Sequence, residues 1–154
     1  MYQQIVVGTD GSAGAGIAVE HAMELARLSG ATLHVVSAHR ITTPYQLAAA
    51  SEVGMAAAAV GESNEASHDD AQRVCDNAVE RAKGLGVTAE SHCVPGDAAD
   101  ALLTVAKDTG CDLLVVGNRG MTGVRRFVLG SVPNKLSHNS PSNLLIVDTS
   151  TARG

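Results

Sequence analysis

The sequence predicts an α/β fold built on an open parallel sheet. Five short runs rich in Val, Ile and Leu recur, at 5–7, 33–36, 87–94, 113–116 and 144–147, and segments with helical spacing separate them. Strands that alternate with helices in this way pair in parallel, because each crossover returns the chain to the same end of the sheet. The fourth run, Leu113-Leu114-Val115-Val116, is apolar without alternation, as expected of a strand covered on both faces.

Ile5-Val6-Val7 runs into Gly8-Thr9-Asp10-Gly11, a β-branched strand delivered into a tight turn. Ser12 is placed to cap the following helix, whose inner positions are Ala18, Ala22, Leu25 and Leu28, with Gly30 as its stop. The second strand covers 33–36. Residues 39–63 are irregular and rich in Ala and Gly, and read as a short helix plus loop or a flap. A long helix is expected over 65–84, with Ala71, Val74, Ala78, Ala82 and Leu85 inward. The run 87–94 alternates with polar residues and suits a sheet edge.

Asp97 is the expected cap of the next helix, with Ala101, Leu102, Val105 and Ala106 on its inner face. After the fourth strand comes a glycine-marked loop, 117–130. Ser131 is read as the cap of a last helix, with Pro133 in its first turn, where a missing N–H costs little. Leu144-Leu145-Ile146-Val147 is the last strand. Residues 1–148 form one domain in this reading, and 149–154 a frayed tail.

Composition removes several function classes. The chain has 154 residues and a net charge of −5, which opposes long-range attraction to nucleic acid or anionic lipid. Aromatics are 2% of residues, too few for the stacking platforms that bind single strands. Three cysteines without a C-x-x-C pattern do not make a disulfide framework. No signal peptide and no membrane span is read, so the expected location is cytoplasmic. The six histidines show no local metal-ligand spacing, and no zinc site is expected. There is no G-x-x-x-x-G-K-[ST] loop, no G-x-S-x-G elbow and no dinucleotide fingerprint.

The loop 117–131 carries the chemistry. Gly117 and Gly120 let backbone approach a ligand without a Cβ clash, and Gly130-Ser131 meets a helix N-terminus that offers free N–H groups. Three arginines (119, 125 and 126) and no acid fall between 118 and 126 of an acidic chain. A glycine-rich loop alone most often serves only to connect a strand to a helix. A buried strand before it, a helix start after it and local basic charge together point to a polyphosphate.

With the opening Val7-Gly8-Thr9-Asp10-Gly11-Ser12 and the strands at 33–36, 112–117 and 144–147, this loop resembles the universal stress protein family. Gly117, Gly120, Gly130 and Ser131 match the G-x2-G-x9-G-[S/T] pattern of its ATP-binding members. The resemblance implies a Rossmann-like, adenine nucleotide alpha hydrolase-like sheet of order 3-2-1-4-5, bound ATP accompanied by Mg2+, and a homodimer. It places Gly8, Thr9 and Asp10 along the nucleotide, with Asp10 suited to a ribose hydroxyl or a metal-bound water. It puts the backbone around Val35 at the adenine edge. Gly117, Asn118, Arg119, Gly120 and Met121, with Gly130, Ser131 and Val132, would wrap the phosphates. The last strand, Leu144 to Val147, would pair with a second copy, since an edge strand presents unpaired backbone. The implied role is a nucleotide-dependent stress-response or signalling module. A slow ATPase or self-phosphorylating enzyme, a cyclic-nucleotide binder and a nucleotide-free chaperone-like dimer are the alternatives. No dedicated general base is visible in the loop; an enzyme would have to rely on Asp10 or Ser131.

Overall fold

The computed structural model describes residues 1–43, 45–46, 56–118 and 129–150. In chain order the elements are β1 (Gln4–Gly8), α1 (Ala13–Ser29), β2 (Thr32–His39), α2 (Ala56–Gly84), β3 (Ala89–Pro95), α3 (Ala98–Asp108), β4 (Leu113–Gly117), α4 (Ser131–Asn139) and β5 (Asn143–Val147). The strands form one parallel sheet of order β3-β2-β1-β4-β5. This is the expected order 3-2-1-4-5. No helix among the described residues is long and apolar enough to cross a membrane.

Strand period two divides the apolar runs between two cores. Ile5, Val7, Leu33, Val35, Leu113 and Val115 pack with α1 and α2. Val6, Val36, Leu114 and Val116 pack with α3 and with Leu136 of α4. The central strands β1 and β4 are therefore apolar on both faces, which is why their sequences show no alternation, while β2 buries the polar His34 and Ser37 as well.

Several boundaries differ from the sequence reading. Helix α2 begins at Ala56 rather than at 65, so part of the irregular stretch is helical. Residues 44 and 47–55 lie outside the described residues. Strand β2 is longer than read, and β3 is shifted toward Pro95. Leu28 is 69% exposed. The buried stripe of α1 runs through Ala15, Val19, Ala22 and Ala26, and at 3.6 residues per turn Leu28 falls nearly opposite. Leu85 is exposed because it follows the last residue of α2.

At α4 the N-cap is Gly130, one residue earlier than expected, and Ser131 is the first helical residue. Thr149, placed in the tail by its sequence position, is buried and hydrogen-bonded to Asn118. Ser150 bonds back to Asp148. Residues 151–154 lie outside the described residues.

Candidate functional site

A hollow opens at the carboxyl ends of β1, β2 and β4, where the strand order reverses about β1 and such sheets take their ligands. It encloses about 770 Å³ of non-protein space, open to solvent. Val36, Ala38, Leu102, Val116, Val132 and Pro133 supply apolar walls. Gly8, Thr9, Asp10, Gly117, Gly130 and Ser131 supply its polar and backbone rim. Gly8 is needed for close approach: a Cβ there would stand 2.9 Å from Cδ1 of Leu102.

The turn after β1 is held from within. The Thr9 N–H donates to the Val36 carbonyl at 2.9 Å, and the Thr9 hydroxyl accepts the Gly11 N–H at 3.2 Å. Asp10 Oδ1 accepts the Ser12 N–H at 2.9 Å, a side-chain turn that leads into α1. Gly11 takes the left-handed conformation, φ +77°, that closes this turn.

Three helices begin at the rim, and they are capped differently. Ser12 accepts the Ala15 N–H at the start of α1, and Asp97 accepts the N–H groups of Ala99 and Asp100 at the start of α3. Gly130 makes no side-chain cap bond at α4. The first N–H groups of a helix have no intrahelical partner, and Pro133 contributes none. The amides of Ser131 and Val132 therefore stand at the positive end of α4, facing the hollow. Lys135, on the next turn, is committed to Asp100 at 2.8 Å and Asp97 at 3.3 Å. Those two carboxylates raise its pKa, the hydrogen bond to Asp100 foremost.

Of the residues singled out in the sequence, Gly8, Thr9, Asp10, Gly117, Gly130, Ser131 and Val132 converge on the hollow. Val35 does not. It is fully buried in the opposite core, and its carbonyl receives the Cys75 thiol at 3.6 Å. The side chains of β2 that reach the hollow are Val36 and Ala38. Asn118 also turns away, with its carboxamide bonded to Asp148 and Thr149. Arg119, Gly120 and Met121, with Arg125 and Arg126, lie outside the described residues.

The reactive side chains sit elsewhere. His39 ends β2 on the α2 side, 3.4 Å from Cys93 Sγ and edge-on to His68. Burial pushes the Cys75 thiol up to about 12, and also raises those of Cys93 and Cys111. Thiols held so are poor nucleophiles. The fold also brings together His34, His92 and Glu90, a group that sequence spacing did not reveal.

Fold and site define the class: a parallel α/β domain with a hollow at its switch point and, on the rim, a helix start whose N-cap residue makes no side-chain bond. The universal stress protein family model matches residues 1–148, and the chain belongs to that family. It is 31% identical over 147 residues to universal stress protein YxiE of Bacillus subtilis (strain 168), a match covering 96% of this chain and 99% of the relative. It is 32% identical over 153 residues to universal stress protein Rv1636 of Mycobacterium tuberculosis (strain H37Rv), covering 96% and 97%. A universal stress protein crystallised in complex with cAMP is 36% identical, covers 97% of this chain and 99% of its own, and superposes with a TM-score of 0.70.

Proposed function

We propose that this chain binds an adenine nucleotide in the hollow and acts as a nucleotide-dependent signalling module, with ATP as the first candidate ligand. One observation carries the reading: the uncapped start of α4 opens into an apolar slot at the switch point of the sheet. The slot suits a flat base. The two amides and the positive helix end suit a phosphate. Gly120, which fits the glycine pattern, and the basic charge of the sequence around it extend the same logic to a longer phosphate chain.

A cyclic nucleotide is the second reading, favoured by the relative solved with cAMP. Binding rather than turnover is proposed, because Asp10 is the one titratable residue among those described as lining the hollow. Its Oδ1 is engaged by Ser12. A lone carboxylate makes no cage for Mg2+, which would arrive with ATP and be held chiefly by the phosphates. The proposal includes a homodimer through the edge of β5, since among the described residues Asn143 to Val147 pair only with β4. Light scattering across a concentration series tests that part.

Titration calorimetry with ATP, with and without Mg2+, and with AMP and cAMP tests the ligand. Saturable heat with ATP supports the first reading. Tighter binding of cAMP than of ATP selects the second. No heat from any of them at millimolar concentration would remove both.

A further inference from the structure

On the sheet face that also lines the hollow, but toward the amino ends of the strands, β1, β2 and β3 bring four polar side chains together. In a parallel sheet, residues in register point the same way, so the pairs His34↔Val6, His34↔Glu90 and Val36↔His92 put His34, Glu90 and His92 on the face of Val6 and Val36. Glu90 and His92 are two apart on the edge strand. His34 is 4% exposed, His92 is half-buried and Glu90 is open to solvent. His34 Nδ1 lies 3.0 Å from His92 Nε2 and 3.6 Å from Glu90 Oε2, and donor atoms of the three residues fall within 4.8 Å of one another.

We infer that His34, His92 and Glu90 form a binding site for a divalent transition metal ion of borderline softness, Zn2+ foremost, with Gln4 orienting His34. Two imidazoles and one carboxylate are a ligand set that zinc accepts, leaving a fourth position for water. The spacing agrees. Two nitrogens on tetrahedral zinc, each 2.0–2.1 Å from the metal, stand about 3.3 Å apart. The two separations from His34 Nδ1, 3.0 Å to His92 and 3.6 Å to Glu90, bracket that value, and the third pair, within 4.8 Å, closes on the ion by rotation of the exposed Glu90 side chain.

Gln4 is the second, independent support. Its Oε1 lies 2.7 Å from His34 Nε2 and can only accept, so the neutral ring carries its proton on Nε2. The Nδ1 lone pair is thereby aimed at His92 and Glu90. Metal-bound histidines are commonly oriented in this way, through the other ring N–H and a carbonyl or carboxylate oxygen. Without metal, His92 Nε2–H donates to His34 Nδ1. On binding, His92 moves its ring proton to Nδ1 and the metal takes the place of that proton between the two nitrogens. Both histidines stay neutral. The bound ion fastens the edge strand β3 to β2 through side chains that do not line the hollow, so this inference does not depend on the proposed function.

The test is equilibrium dialysis of the full chain, without an affinity tag, against Zn2+ in metal-free buffer, with elemental analysis of the protein. Wild type takes up one Zn2+ at this site. His92→Asn loses that equivalent, and Gln4→Leu weakens binding about 10–100-fold, as expected for an orienting partner. Zn2+ raises the melting temperature of wild type and not of His92→Asn, and Co2+ bound to wild type gives a tetrahedral visible spectrum that the variant lacks. Glu90→Gln alters a solvent-exposed side chain, so its weakened uptake decides the matter if His92→Asn fails to fold. Equal uptake by wild type and the folded variants, or none by wild type at micromolar free Zn2+, overturns the site.

Discussion

The Asn118 side-chain oxygen accepts two hydrogen bonds from Thr149, one from its hydroxyl at 2.6 Å and one from its N–H at 3.1 Å. The same residue donates its backbone N–H to Val147 and its carboxamide N–H to Asp148, and its carbonyl receives the Gly130 N–H at 3.1 Å. One asparagine thus ties the exits of β4 and β5 together and sets where α4 begins. Asn118→Ala leaves a buried threonine hydroxyl and an amide without their partner, at a cost of about 1–3 kcal/mol. Urea unfolding should show that loss. The Gly130 N–H keeps its acceptor, the backbone carbonyl of residue 118, so the loss falls on the junction between β4 and the segment after β5. Unchanged stability would show that the pair is dispensable.

Gly8 and Leu102 are in a second tight relationship. The backbone at Gly8 has no left-handed requirement, so Gly8→Ala is a matter of space alone. The new methyl meets both terminal carbons of Leu102, at 2.9 and 3.2 Å, and Leu102 is nearly fully buried. Overpacking of this kind costs about 1–3 kcal/mol. Part of it is relieved if Leu102 swings into the hollow, which then shrinks. Gly8→Ala should therefore lose stability and nucleotide affinity together. With Leu102→Ala added, the double variant should lose less stability than the sum of the two singles. Strict additivity would mean that the two side chains do not compete for the same space.

These two relationships also mark how far the sequence could be read. Strand order and the helix caps Ser12 and Asp97 agree with the structure, and Gly8, Asp10 and Gly130 line one hollow. They rest on local patterns: runs, glycines and capping residues. The resemblance implies the backbone around Val35 at the adenine edge; the Val35 side chain lies in the opposite core, and the β2 residues that line the hollow are Val36 and Ala38. A strand that is apolar on both faces carries no signal of which residue points where, and a shift of one residue reverses the face. Ser131 slipped by one position for a related reason: Gly130 and Ser131 both suit an N-cap. His34 and His92 are separated by 58 residues, and only the pairing of β2 with β3 brings them together.

Asp97 gives a pH dependence with a definite sign. Its carboxyl lies below the ordinary 3.8, first because it accepts the Asp100 N–H at the start of α3, and further because Lys135 approaches it. The unfolded chain then binds this proton at a higher pH than the folded one. The contribution is fully present above pH 3.8 and is lost as pH falls through the folded value. The side chain is more than half exposed, so solvent screening keeps the ion-pair part below about 1 kcal/mol. Asp97→Ala, which removes the cap as well, should cost about 1 kcal/mol at neutral pH. Asp97→Asn keeps a capping oxygen and should cost less. Its deficit against wild type should shrink in high salt, and shrink again as pH falls below 3.8 through the lower folded value, as followed by urea unfolding at each pH. A deficit independent of pH would show that the carboxylate charge plays no part.

Ser131 offers a variant in which stability and binding should move in opposite directions. The residue is exposed, opens α4, and has no capping side chain before it. Ser131→Glu places a carboxylate at the positive end of the helix, which on its own stabilises by about 0.3–1 kcal/mol at low ionic strength. The same charge occupies the place proposed for a phosphate and repels it. Urea unfolding should therefore show equal or greater stability, while calorimetry shows nucleotide affinity falling by at least tenfold. Ser131→Ala removes only a hydroxyl and should lose less. A purely structural role for this end of α4 leaves affinity untouched in both variants. A general disturbance of the fold lowers stability and affinity together. Opposite signs in the glutamate variant mark an anion held beside the start of α4, as proposed for the amides of Ser131 and Val132.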